Sequence, residues 1–497
     1  MSKARSLFYW IAWSPFPRVL HSSQAHMYRR NIKHILIPLA VGLALVIGYN
    51  LFLKPALPPQ TMQLAETVEP ASPPPVPLPN RSIDIEAKSV RVLDQSVVPP
   101  TSHEASLEAV RDEIEKHNLS LAETKLKELP PAVLSDATTK IFVATLWNNL
   151  GLQQERLHGT QASVKAFKRA ADLDDSNPVI LLNLAHAYWE QRDRGLNAEF
   201  LMKLMKVAPK EPFPHLAMAD LLQEQDDLQE ATKHLAQAAD RARQDPALQS
   251  YLTAVTTKIH RTRSVESHMT ARSSTHFVVK FDGEEDQNTW TLVLEILEEA
   301  YREIGQTFRH FPSKPIMVVL HAKDSFQGAT GSPVWADGLY DSTLGRIQIP
   351  TQGATTDRKR LASVLRHEYV HALLHDRLGT SSGALPTWLN EGLAMQLAGD
   401  AWPELDQAMQ GDIKVIPLTY LEGSWGALPA GTSAVAYLEA NSATRYLIER
   451  WGMAGVDELL KALEVKSTMA TALQNKLFVS YEQFHRQWLE SFERSRS

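Results

Sequence analysis

From residue 144 the chain repeats itself every 34 residues, in units that begin at residues 144, 178 and 212. Aligned on that period, Trp147, Leu181 and His215 share one position; Leu150, Leu184 and Met218 share another; Gly151, Ala185 and Ala219 share the next. Further along, Phe167, Leu201 and Leu235 coincide, as do Ala170, Leu204 and Ala238. A fixed period of this length narrows the fold sharply. Each unit is one supersecondary element that cannot bury its apolar face alone, so neighbouring units must stack. Apolar residues three and four apart in each half predict two antiparallel helices per unit, brought close by the small residues at the Gly151 position. Helical patterns at 105–129 and 246–260 are expected to flank and cap the stack.

The spacing W-x2-L-G followed by x3-F-x2-A resembles the tetratricopeptide repeat. One departure is the position four before Phe167, an alanine in that family, which here reads Ser163, Asn197 and Ala231. The resemblance implies an all-α stack over residues 103–262 whose concave surface docks a protein partner or a peptide substrate. A rigid helical spacer is the plainer alternative.

Further on, SSTHFVVKFD (273–282) and KPIMVVLHA (314–322) read as strands around a helix near 288–309, and GLYDSTLGRIQIPT (338–351) reads as a hairpin. Arg346 to Ile349 of that hairpin is a candidate edge strand for pairing with an extended peptide. Asp357 then caps a long helix stopped by Gly379, and inside it lies HEYVH: His367, Glu368 and His371. An i, i+4 spacing puts both imidazoles on one helical face, within reach of a single ion, with Glu368 to the side. Twenty positions after His371 comes Glu391, in PTWLNEGLAMQLAG. A zinc hydrolase needs three protein ligands and an open position, and a carboxylate on a second helix is a suitable third. His375 is the rival within the first helix. It lies about 12 Å along the axis from His367, too far for both to bind one ion at ~2.1 Å. A metzincin pattern would need glycine and histidine where Leu374 and Arg377 stand.

HEYVH and WLNEGLA at this separation resemble the gluzincin metallopeptidases, most closely their peptidase-MA-like branch, over roughly residues 270–485. The resemblance implies one zinc per chain bound by His367, His371 and Glu391, with Glu368 as general base toward the attacking water and proton donor to the leaving amine. Related enzymes use a downstream tyrosine toward the oxyanion, which makes Tyr437 a candidate; a core tyrosine on the apolar face of a helix at 434–451 is the alternative. Thermolysin-like members carry an acid four residues after the glutamate ligand. Here that residue is Met395, so the group orienting His367 must come from elsewhere. No G-x-M-E-N-type stretch is present, which disfavours an aminopeptidase.

The amino-terminal part has a different character. Residues 1–34 carry six basic residues and no acid, and 35–53 form an uncharged apolar run about 28 Å long as a helix. This predicts one uncleaved membrane-spanning helix with a cytoplasmic N-terminus. A cleaved signal peptide is the weaker reading, because the run is too long and no A-x-A site follows. Met27 is an alternative start. Nine prolines between 55 and 80 predict a semi-rigid spacer. A chain of 497 residues with 44% hydrophobic residues can bury several cores, and its net charge of −6 argues against a nucleic-acid partner. The absence of cysteine excludes thiolate metal sites and a cysteine nucleophile.

The expected fold is therefore α+β: a basic segment (1–34), a single transmembrane helix (35–53), a proline-rich linker (54–102), an all-α tetratricopeptide-like stack (103–262) and a zincin-like mixed α/β domain (263–497). The expected activity is membrane-anchored zinc endopeptidase action on a protein or peptide substrate, at a bacterial inner membrane facing the periplasm. A non-catalytic periplasmic scaffold is the alternative. Deleting residues 144–245 is expected to spare zinc binding and turnover of a small peptide while abolishing processing of a native target.

Overall fold

The computed structural model describes residues 104–191, 195–282, 287–330, 338–350, 357–399, 415–425 and 432–496. All of them fall in one compact unit. The basic segment, the apolar run at 35–53 and the proline-rich linker to residue 102 lie outside the described residues.

The repeat period becomes helical hairpins. Helices α1 (Glu104–Glu115) and α2 (Leu119–Lys127) lead in, and the three units follow as α3 (Ala137–His158) with α4 (Thr160–Leu173), α5 (Pro178–Glu190) with α6 (Ala198–Val207), and α7 (Phe213–Glu224) with α8 (Leu228–Arg241). The five sets of aligned apolar and small positions are buried in all three units. A Cβ at Gly151 would meet the Phe167 ring at 2.7 Å, which is why α3 and α4 need glycine there. The odd residue of the second unit, Asn197, has a local cause: it stands just before α6, and its side chain accepts the Phe200 N–H as the helix cap. The helix expected at 105–129 is two helices, because His117 takes a left-handed conformation (φ 61°) after the first. Helix α9 (Pro246–Glu266) closes the array.

The remaining elements are β1 (Thr270–Ser273), β2 (Phe277–Phe281), α10 (Gln287–Phe308), β3 (Ile316–His321), α11 (Lys323–Thr330), β4 (Leu339–Asp341), β5 (Arg346–Pro350), α12 (Arg358–Leu378), α13 (Thr387–Ala398), α14 (Ser433–Glu464), α15 (Met469–Ala472) and α16 (Tyr481–Arg496). The sheet order is β1-β2-β3-β5-β4, with β2, β3 and β5 parallel and the two outer strands antiparallel to their neighbours. Arg346–Ile349 is thus an interior strand, not an edge. The three-residue β4 is the edge, and β5 is buried along its whole length. Helices α10, α12, α13 and α14 share one core with the sheet.

The α+β expectation with a membrane-spanning helix is corrected. The described chain is mostly helical, with one small mixed sheet, and no described helix is long and apolar enough to cross a membrane. The physical reason is visible in the residues. The five strands are only three to six residues long, with FVVKF and IMVVLH the β-branched centre of the sheet, and long helices such as α14 carry charges along their length. Helix α14 also leaves helical geometry at Gly452 (φ 67°, ψ −179°), which ends the expected 434–451 helix.

The repeats and the sheet-bearing part meet along the hairpin turns. Glu190 and Glu224 occupy one repeat position, 34 residues apart; Lys466 approaches the first at 3.7 Å and Lys314 pairs with the second. Deeper in, Arg346 of β5 holds Glu266 of α9 through two 2.8 Å hydrogen bonds and reaches Asp226 at 3.1 Å.

Candidate metal centre

Helix α12 is built to present its middle. The Asp357 carboxylate accepts the Lys359 and Arg360 N–H groups, and Gly379 (φ 56°) donates its own N–H to His375 O at the other end. Leu361, Leu365, Tyr369, Ala372 and Leu373 form the buried stripe that fixes its rotation. Placed one turn apart on that helix, the His367 and His371 rings have centroids 4.9 Å apart.

Helix α13 supplies the carboxylate. Trp388, fully buried, donates its indole N–H to Tyr481 Oη at 2.9 Å and pins the helix start. Gly399 (φ 74°) ends it in the left-handed conformation glycine favours. Between them, Gly392 lies hard against α14: an added Cβ would run into Thr444 and the backbone carbonyl of Ala440. That close approach sets where Glu391, the preceding residue, sits.

The result is a three-residue cluster. Glu391 Oε2 is 3.4 Å from His367 Nε2 and 3.7 Å from His371 Nε2, and one ligand atom from each residue lies within 4.8 Å of the others. Among the described residues this is the only such group of three. His371 Nδ1 is 3.0 Å from Asn390 Oδ1, and a proton on Nδ1 donated to that oxygen would leave Nε2 available to a metal ion. Asn390, which the ligand spacing alone passes over, therefore orients a candidate ligand. Its place beside Glu391 in WLNEG is the sequence signal that points to it.

Glu368 is buried next to this cluster. Burial pushes its carboxyl above the usual carboxylate range; His367 and His371 pull it down, Glu391 pushes it up, and the Tyr340 N–H donates to it and lowers it. Strand β4 is thus in contact with Glu368. At its start Gly338 leaves room for no side chain, since a Cβ there would lie 2.8 Å from Val364 and 3.2 Å from Glu368 Cγ. The Tyr340 hydroxyl is 3.0 Å from His375 Nδ1, so His375 serves the strand and stands outside the three-residue cluster. Tyr437 sits half-buried on α14, edge-on to Trp425 at 4.8 Å between centroids. Met395 is buried, so the position holding an acid in thermolysin-like enzymes is part of the core here.

A tetrahedral site with metal–ligand bonds of about 2.0–2.1 Å has ligand atoms about 3.4 Å apart. The two Glu391 separations sit close to that value, and two imidazole nitrogens with one carboxylate oxygen are a donor set suited to zinc. No family model matches the chain and no curated protein matches it, so the function of this centre is read from its own residues and their geometry.

Proposed function

We propose that the protein is a zinc-dependent endopeptidase, with His367, His371 and Glu391 as metal ligands and Glu368 as the acid–base residue. The single observation that carries this reading is the His–His–Glu cluster, its ligand atoms within 4.8 Å of one another, with a buried carboxyl beside it. A structural zinc site has four protein ligands, whereas three leave a position open for chemistry. Zinc held here would supply Lewis acidity toward water and toward the scissile carbonyl.

Glu368 accepts a proton from the attacking water and returns it to the leaving amine. A carboxyl held above its usual range is better matched to both transfers, although a cation alongside draws that value down again. The outermost strand β4 gives an extended substrate a place to align. Its position at the sheet edge, with Gly338 and Tyr340 against Glu368, supports a peptide as substrate by strand addition. The proposed partner of the repeats is likewise a protein or peptide.

Zinc removal tests the activity. Chelation should abolish hydrolysis of a mixed peptide library, and one equivalent of zinc per chain should restore it. Turnover that persists in the metal-free chain would contradict the reading.

A further inference from the structure

We propose that α9, the helix closing the repeat array, positions Glu368 through the β4–β5 hairpin, so that the helical array forms part of the catalytic unit. The inference rests on the acid–base role proposed above for Glu368. The backbone at the start of β4 lies against Glu368, where a Cβ added at Gly338 would be 3.2 Å from its Cγ, and Asp341 of the same strand is wholly buried and held by Lys258 of α9 at 2.6 Å. Asp341 also shapes the turn, accepting the Thr343 and Leu344 N–H groups at 2.9 and 3.2 Å. Leu344, at the tip, is buried in one apolar cluster with Leu216 of α7 and Tyr251 and Val255 of α9.

The returning strand is gripped as well. Arg346 is the backbone partner of Asp341 across the hairpin. Its guanidinium is buried against Glu266 and Asp226, and Lys280 of β2 bridges the same two acids. Buried charges of this kind fix geometry, because neither partner can shift without leaving the other unpaired in a low dielectric. Both strands are therefore held from the repeat side, and the hairpin has one position to offer Glu368. Lys258, Glu266 and Asp226 touch no reacting group; they are positioning residues.

This geometry replaces the expectation that residues 144–245 are dispensable for small-peptide turnover. Their removal takes Asp226 away from Arg346 and Lys280, and takes Leu216, Leu228 and Leu235 out of the apolar cluster that includes Leu344.

The test compares Lys258→Met, Lys258→Arg and Lys314→Met in the zinc-loaded full chain, using a short peptide substrate. Lys314 lies on the same boundary but pairs with Glu224, in a partly exposed ion pair. Lys258→Met should lower kcat about 10- to 100-fold, the scale of a misplaced catalytic group, with KM and zinc content unchanged. Amide hydrogen exchange at 339–348 should quicken, Lys258→Arg should restore kcat, and Lys314→Met should match wild type. If Lys258→Met fails to fold, Glu266→Gln serves in its place, since Arg346 keeps Asp226. Wild-type kcat in Lys258→Met, or equal losses in Lys258→Met and Lys314→Met, overturns the positioning role alone. A wild type that binds zinc but hydrolyses no peptide overturns the acid–base reading and this inference with it.

Discussion

Glu368→Gln should retain the fold and the zinc and lose nearly all turnover. Glu368 is not one of the three clustered ligand residues, so metal content is unaffected. Glutamine keeps the size of the side chain and its Cγ, which preserves the packing against Gly338 at the start of β4. What it cannot do is accept a proton from the attacking water or hand one to the amine. Loss of a general base typically costs about 10²–10⁴-fold, and the upper end applies when one group serves both transfers. The loss should fall on kcat with KM little changed, because ground-state contacts survive. Steady-state kinetics on zinc-matched samples reads it. Wild-type turnover in the variant would make the zinc site structural and favour a scaffold.

The second large effect comes from a residue that does no chemistry. Gly392→Ala forces a methyl group into Thr444, whose Cβ would lie 2.7 Å away, and into the Ala440 carbonyl. A backbone carbonyl cannot rotate aside, so α13 must move off α14 and take Glu391 with it. Overpacking of this kind costs about 1–3 kcal/mol of stability. The displaced ligand should add a loss in zinc affinity of at least about tenfold, comparable to the loss of an orienting group around a metal. Denaturant unfolding and competitive zinc titration measure the two effects separately. Unchanged affinity would mean that Glu391 is placed by something other than the α13–α14 contact.

Much of this architecture is legible in short-range sequence chemistry. The Asp357 cap, the Gly379 stop and the i, i+4 histidines are all written within one turn of the residues they govern. The 34-residue period identifies its own buried positions, since stacking leaves each unit the same neighbours. What stays hidden depends on distant pairings. Strand order is one case: β5 reads as an edge because a hairpin taken alone does not reveal that β3 takes its outer side. Lys258 and Asp341 are another, 83 residues apart with no local signature. The break at His117 is equally silent, because a non-glycine residue at positive φ carries little sequence signal. Tyr437 is a candidate by analogy alone, and its ring meets Trp425 edge-on.

The central claim is that His367, His371 and Glu391 together bind one catalytic zinc. Zinc X-ray absorption on the reconstituted full chain, beside His371→Ala, tests it most directly. The wild type should hold one zinc per chain, with two imidazole nitrogens and oxygen ligands at about 2.0–2.1 Å, and the variant should lose an imidazole shell and stoichiometric binding. Stoichiometric zinc with an unchanged two-imidazole spectrum in His371→Ala, or no stoichiometric zinc in the wild type, would contradict it.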